Sequence, residues 1–154
     1  MNNHLIILTG NIGTGKSTLA KEYVKKGYYV ISRDALRYMI GGGNYRFEEE
    51  NEPLIHESEI AILEAYMCSV MPIIVDEVGI NKLSRRKYIA LAKFYNYKIT
   101  VIVLPKISLK ETLRRKLKVT HGQGSNVWTM VYNKFKKQYE KPTIKEGIDE
   151  IIWR

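Results

Sequence analysis

The run Gly10-Asn11-Ile12-Gly13-Thr14-Gly15-Lys16-Ser17-Thr18, entered from the apolar Leu5-Ile6-Ile7-Leu8, constrains the fold of this chain more than any other stretch. It fits G-x-x-x-x-G-K-[ST], with a short buried strand before it and a helix-like segment, Thr18 to Lys26, after it. Backbone N–H groups can wrap a phosphate chain only where no Cβ intrudes, and a helix N-terminus adds partial positive charge. Lys16 supplies a point charge for β- and γ-phosphates, and the Ser17 hydroxyl has the reach and hardness for Mg²⁺. With glycine at ~7% of residues, a chance match in a chain this long arises roughly 1% of the time or less. Gly10 to Thr18 is therefore expected to bind nucleotide phosphates, with ATP as donor, GTP or another nucleoside triphosphate being the variants left open.

A length of 154 residues suits one domain, 1–154, large enough to hold a core without staples. The lone cysteine, Cys68, lies in an apolar helical stretch and is expected to be a buried small hydrophobe, which suits a reducing, cytoplasmic compartment. No apolar run approaches the ~20 residues needed to cross a bilayer, and no membrane role is expected. Met1 to His4 carries no basic leader, so the mature chain is expected to begin near Met1. The charge is unevenly placed: from Lys106 to Lys145 eleven cations face only Glu111 and Glu140, which accounts for the whole net charge of +9. Such a basic third fits a polyanionic partner, or else a solvated helical face with the charges of a phosphate-closing lid.

Further along, Lys25-Lys26-Gly27 reads as a helix stop and Tyr28 to Ile31 as a second strand. Ser32 to Ile40 then passes into a short helix that places Asp34 at the carboxyl edge of a sheet, where ligands bind in open parallel sheets. Asp34 there is either placed for chemistry or caps the helix. Arg37 would share its face and could grip an anionic group. Residues 41–52 read as a mobile loop, and Pro53 opens a helix running to about Val70. Ile73-Ile74-Val75 is a third strand delivering Asp76 to the edge that carries the phosphate loop, where a carboxylate orients a Mg²⁺ shell through water. Asp76-Glu77-Val78-Gly79 fits D-x-x-G, but no N-K-x-D follows a later strand. A helix from Ser84 to about Tyr95, with Ile89, Leu91, Ala92, Phe94 and Tyr95 toward the sheet, leads to a fourth strand, Ile99 to Leu104. Ser108-Leu109-Lys110-Glu111 is a capping box opening a helix through Arg114 and Arg115. The glycine-bearing loop Val119 to Asn126 follows, with His121 read as a solvated loop residue. Basic residues beside such a loop are what a lid, about 114–128, over transferring phosphates requires. A helix from Val127 to Tyr139 and a strand from Ile148 to Trp153 complete a three-layer α/β domain with a central five-stranded parallel sheet.

The set formed by Gly10 to Thr18, Arg33-Asp34-x-x-Arg37, the strand ending in Asp76, Arg85-Arg86 opening a helix, and the basic helix and glycine loop near 114–124 resembles phage-type 5′-polynucleotide kinases and their P-loop kinase relatives. The resemblance implies that fold with a helical lid. It implies Asp34 as general base for a DNA or RNA 5′-hydroxyl, and Arg37 as contact to the adjacent substrate phosphate. It implies substrate-binding roles for Arg33, Arg86 and Asp76, the last on the nucleotide side of the site, and Arg115 or Lys118 as the lid cation on the donor phosphates. The chain departs from the family at the lid, where the matching position falls near Lys118 or Val119. It departs again at Glu77-Val78, where Thr and Asn are commoner. Lys16, Asp34, Arg37 and Arg115 are thus the expected catalytic set, Ser17 and Asp76 the expected Mg²⁺ shell, and 5′ ends of DNA or RNA the expected partners. A kinase for a small molecule such as a nucleoside, nucleotide or sugar, and a nucleotide-driven switch without phosphoryl transfer, share most of these features. Oligomeric state is open.

Overall fold

The computed structural model describes residues 3–118 and 123–154; Met1, Asn2 and the loop positions Val119, Thr120, His121 and Gly122, with what the sequence suggested for them, lie outside. Among the described residues five strands form one parallel sheet, β1 His4–Thr9, β2 Tyr29–Ile31, β3 Ile73–Val75, β4 Lys98–Val103 and β5 Glu150–Trp153, in the order β2-β3-β1-β4-β5. The helices are α1 Lys16–Lys25, α2 Arg33–Ile40, α3 Glu52–Cys68, α4 Lys82–Phe94, α5 Leu109–Lys116 and α6 Ser125–Gln138.

Alternation along the strands divides the core. Leu5, Ile7, Ile73, Val75, Ile99 and Val101 face α3 and α4, where they meet Leu63, Met67, Tyr88, Ile89 and Ala92. Ile6, Leu8, Ile74 and Ile102 face the other way, onto Leu19 and Ala20 of α1. Both faces are covered, as an all-parallel sheet requires, and each wholly buried leucine or isoleucine contributes about 1.5–3 kcal/mol.

The sheet order positions the site. Because β2, β3 and β1 lie side by side, the residues that follow them, Asp34, Asp76 and the phosphate loop, emerge in a row at one carboxyl edge. Strand boundaries agree with the sequence reading to within a few residues, whereas helix starts fall earlier than expected. Helix α1 begins at Lys16 rather than Thr18, and α4 begins at Lys82, where Asn81 and Ser84 form a reciprocal cap.

Two core expectations are corrected. Cys68 is exposed, with its Sγ 3.7 Å from the Tyr95 hydroxyl. The inward face of α3 runs through Ile55, Glu59, Leu63 and Met67, a four-residue spacing that leaves the next position turned outward. Phe94 is likewise exposed, because Arg85, Tyr88, Ile89 and Ala92 take the inward face of α4. No helix among the described residues is long and apolar enough to cross a membrane.

Candidate active site

Between β1 and α1 the loop is held open for a phosphate chain. Gly13 and Gly15 have φ of 72° and 98°, left-handed conformations that a side chain would strain, and Gly15 is the residue before α1. The Asn11 carbonyl accepts from Lys16 Nζ at 2.7 Å and from Thr14 Oγ1 at 2.8 Å. Asn11 Nδ2 donates to the Tyr132 carbonyl at 3.0 Å, and Ile12 packs on Trp128 and Tyr132. The loop is thus braced from α6, so little of its order has to come from a ligand.

The loop opens onto a cavity of about 710 Å³. Its floor is Gly13, Gly15, Lys16, Ser17 and Thr18, with Lys21 beyond; one wall is Asp34, Ala35 and Tyr38 of α2 with Asp76, Glu77 and Val78; Arg115 and Lys116 of α5 close the other side. Gly10, Asn11 and Thr14 support this floor without lining it. Gly10 is confined by the Thr14 side chain and Leu104, where a Cβ would lie 2.8 and 3.1 Å from them.

Cations and carboxylates face one another across the cavity. Burial lowers the Lys16 pKa to about 8 against the opposing pull of Asp76. Burial raises that of Asp76, with the Ser17 hydroxyl, which hydrogen-bonds its carboxylate, and Lys16 acting against the rise. Lys116 is lowered by burial, while Asp34 and Asp76 both favour its charged form, and its Nζ sits 4.2 Å from the centre of the Trp128 ring. Each of these charges lacks water that a bound phosphate chain and cation would replace, which fits an anion held by Lys16 and Lys116 and a metal held by Ser17 and Asp76.

Asp34 is not the cap of α2; that place is taken by Ser32, whose hydroxyl accepts from the Ala35 N–H. Asp34 Oδ1 accepts from Arg37 Nη1 at 2.7 Å and from the Tyr45 hydroxyl at 3.0 Å. Both donors use the same oxygen, which holds the carboxylate beside Arg37 and Tyr45 at the wall of the cavity. The segment 41–51 that brings Tyr45 here opens with turns and ends in a 3₁₀ turn, Glu49–Asn51, while Glu52, expected in the loop, already belongs to α3.

Several expected site residues are placed elsewhere. Arg33 turns away from the cavity: its Nη2 donates to Glu77 Oε2 at 2.9 Å and its Nη1 lies 3.2 Å from His56 Nε2. Arg37 does not line the cavity; its Nε and Nη2 donate to both oxygens of Glu52, at 2.9 and 2.7 Å. Arg86 lines a separate groove with Lys82, Leu83 and Glu140, because Arg85 takes the inward face of α4 and the next position turns away from it. Its neighbour Arg85 is wholly buried and binds Glu146 and the Gly79 and Glu140 carbonyls. Lys118 is exposed and outside the cavity, two residues past the end of α5. Arg115 reaches the loop, donating to the Gly13 carbonyl at 2.9 Å and to Glu111 at 2.8 Å.

Sequence reasoning did not single out Lys116, Tyr38, Tyr45 or the inward Glu77. Lys116 follows Thr112 by one helical repeat, and Thr112 packs against Gly13, a long-range contact that no local pattern in the sequence announces.

The profile of the family described as AAA domain matches residues 5–142. NEDD4-binding protein 2 of Homo sapiens is 25% identical over 144 residues, covering 91% of this chain, which spans only 8% of that protein's length. A chain in the structure of the Pnkp1/Rnl/Hen1 RNA repair complex superposes with a TM-score of 0.66 at 19% identity, over 89% of this chain and 46% of that one. A gluconokinase from Sinorhizobium meliloti 1021 superposes with a TM-score of 0.60 at 19% identity, over 98% and 81%. The sheet order, the phosphate loop and a family match over most of its length agree: this chain belongs to the AAA domain family and has the P-loop kinase fold.

Proposed function

We propose that the chain is an ATP- and Mg²⁺-dependent phosphotransferase that passes the γ-phosphoryl group to an alcohol, with the 5′-hydroxyl end of DNA or RNA as acceptor. One observation carries the reading: Asp34 lines a single cavity with Lys16 and Ser17, its carboxylate held by Arg37 and the Tyr45 hydroxyl. Phosphoryl transfer asks a protein for positioning, charge neutralisation and a base near the acceptor. Lys16 would hold the β- and γ-phosphates, Arg115 and Lys116 would meet the charge of the moving phosphoryl, and Asp34 would take the alcohol proton. Ser17 and Asp76 are two hard oxygen donors, as many as Mg²⁺ commonly takes from a protein when phosphates and water supply the rest.

The nucleic-acid acceptor is favoured by the basic run from Lys106 to Lys145 and by likeness to a chain of an RNA repair complex. A small-molecule acceptor is favoured by a different observation. The cation expected to receive an acceptor phosphate, Arg37, is already paired with Glu52. Incubation with γ-labelled ATP, Mg²⁺ and 5′-hydroxyl oligonucleotides tests the proposal. Label on the oligonucleotide, with acceptor affinity falling steeply as salt rises, is the expected result. Label passing only to nucleosides or sugars, with no salt dependence, assigns the small-molecule acceptor.

A further inference from the structure

Glu52 stands in the first turn of α3 and faces Arg37. Its two oxygens take a parallel pair of hydrogen bonds from Arg37, while the third donor of that guanidinium holds Asp34. The fork of a guanidinium fits a carboxylate and a phosphate equally well, so whatever occupies this slot is tied by one rigid plane to the carboxylate placed to act as base.

We propose that Glu52 is a specificity-determining residue: its carboxylate holds the place, on Arg37, of an oxyanion carried by the acceptor. This rests on reading the cavity as a phosphotransferase site. An acceptor with a phosphate near its hydroxyl displaces Glu52, and one without a phosphate leaves the pair closed. The pair is strong enough to discriminate and open enough to exchange. Hydrogen bonds from Arg37 hold the Glu52 carboxyl below its usual range, and the Glu52 side chain is 20% exposed. Glu52 also has somewhere to go. It begins α3, where a negative charge is favoured by the helix, and His56 lies 3.9 Å from its carboxylate. Phe47 lies over Arg37, with 5.6 Å between the guanidinium carbon and the ring centre.

The same arrangement explains how one arginine can serve two tasks. While Glu52 is bound, Arg37 orders Asp34; when an acceptor phosphate replaces Glu52, Arg37 still orders Asp34 and now also fixes the distance from that phosphate to the base. Only acceptors that complete this arrangement gain from it.

The test compares wild type and Glu52→Gln in calorimetric titrations with a thymidine dinucleotide, which has one internucleotide phosphate, and with thymidine, which has none, both in the presence of a non-transferable ATP analogue. The amide keeps the shape of Glu52 and removes its charge. The expected result is dinucleotide binding tighter by about 10-fold, the worth of one charge-assisted contact no longer contested, with thymidine unchanged to within about twofold. Equal shifts for both ligands, no shift, or weaker dinucleotide binding overturns the proposal. Glu52→Asp, which keeps the charge but shortens its reach, serves as the folding control: it should fall between wild type and Glu52→Gln, and failure to do so counts against the proposal as well. Phosphoryl transfer from ATP is scored separately. If wild type transfers to neither ligand, the phosphotransferase reading is lost, and the binding comparison still shows whether Glu52 contests an oxyanion.

Discussion

Arg33 and Glu77 join the two segments that carry the acidic residues of the cavity. The Arg33 backbone N–H donates to Glu77 Oε1 at 2.6 Å and its Nη2 donates to Oε2 at 2.9 Å, so α2 and the end of β3 are clamped beside Asp34 and Asp76. Behind the clamp, Glu59 is fully buried, bonded to Lys87 at 2.6 Å and to the Tyr88 hydroxyl. The separation of Asp34 and Asp76 is therefore set by their neighbours. Glu77→Gln should cost about 1.5–3 kcal/mol in urea denaturation, the loss expected for hydrogen bonds to a charged group. It should also lower turnover more than ATP affinity, because the phosphate loop does not depend on the clamp. Unchanged stability in the variant would show that the clamp carries no load.

Lys16 links pH to both binding and stability. Its folded pKa, about 8, lies below the ordinary 10.5, so the folded protein gives up this proton before the unfolded chain does. Between about pH 8 and 10.5 the group adds stability as pH rises, and below pH 8 its desolvation cost is fully present. Nucleotide binding runs the other way, since phosphate needs the charged amine. The Kd for ATP should rise as pH passes 8, by up to about tenfold per unit, until the pKa of the bound state is reached. Lys16→Met should remove both dependences. It should also leave the free protein at least as stable at pH 7, because the Asn11 carbonyl keeps the Thr14 hydroxyl as donor. Thermal melts and ATP titrations from pH 7 to 10 check both signs.

Asp34→Asn separates transfer from mere nucleotide binding. The amide preserves size, and its oxygen can still accept from Arg37 and Tyr45, but it cannot take a proton. Turnover should fall about 10²-fold or more, with ATP affinity within a few-fold of wild type. A variant of undiminished turnover would remove Asp34 as the base, and a protein with no turnover before or after substitution would support the switch reading.

The number of strands and their succession with helices, the phosphate loop and the edge positions of Asp34 and Asp76 were legible because each rests on local signals: apolar runs, glycines before a lysine, a carboxylate where a strand stops. The pairing of side chains was not. Arg33, Arg37 and Arg86 all read as cations available to a substrate, yet the first two are paired with Glu77 and Glu52 and the third faces another groove. Those glutamates lie 44 and 15 residues from their partners. No local pattern connects residues brought together by α3 and β3, and Tyr45 was hidden for the same reason, in a segment without periodicity. Cys68 was misjudged by a single helical position, the kind of error that an apolar stretch with an indistinct face invites.

The lid cation is the sharpest case. Arg115 spends two of its donors on Glu111 and the Gly13 carbonyl, and Lys118 lies outside the cavity, whereas Lys116 lines it and is favoured in its charged form by both Asp34 and Asp76. Stacking over Trp128 restrains its long side chain, so little entropy is left to lose when a phosphoryl group arrives. Lys116→Ala should therefore cost about 10²–10³-fold in the transfer step, comparable to removing one preorganised donor from a charge-stabilising site. Lys118→Ala should stay within about threefold of wild type, since an exposed charge at this distance is largely screened. Single-turnover rates at saturating ATP isolate the step from product release. The reverse ranking, with Lys118 the costly loss, would mean that the lid closes by a rearrangement that carries residue 118 inward and Lys116 away from the cavity.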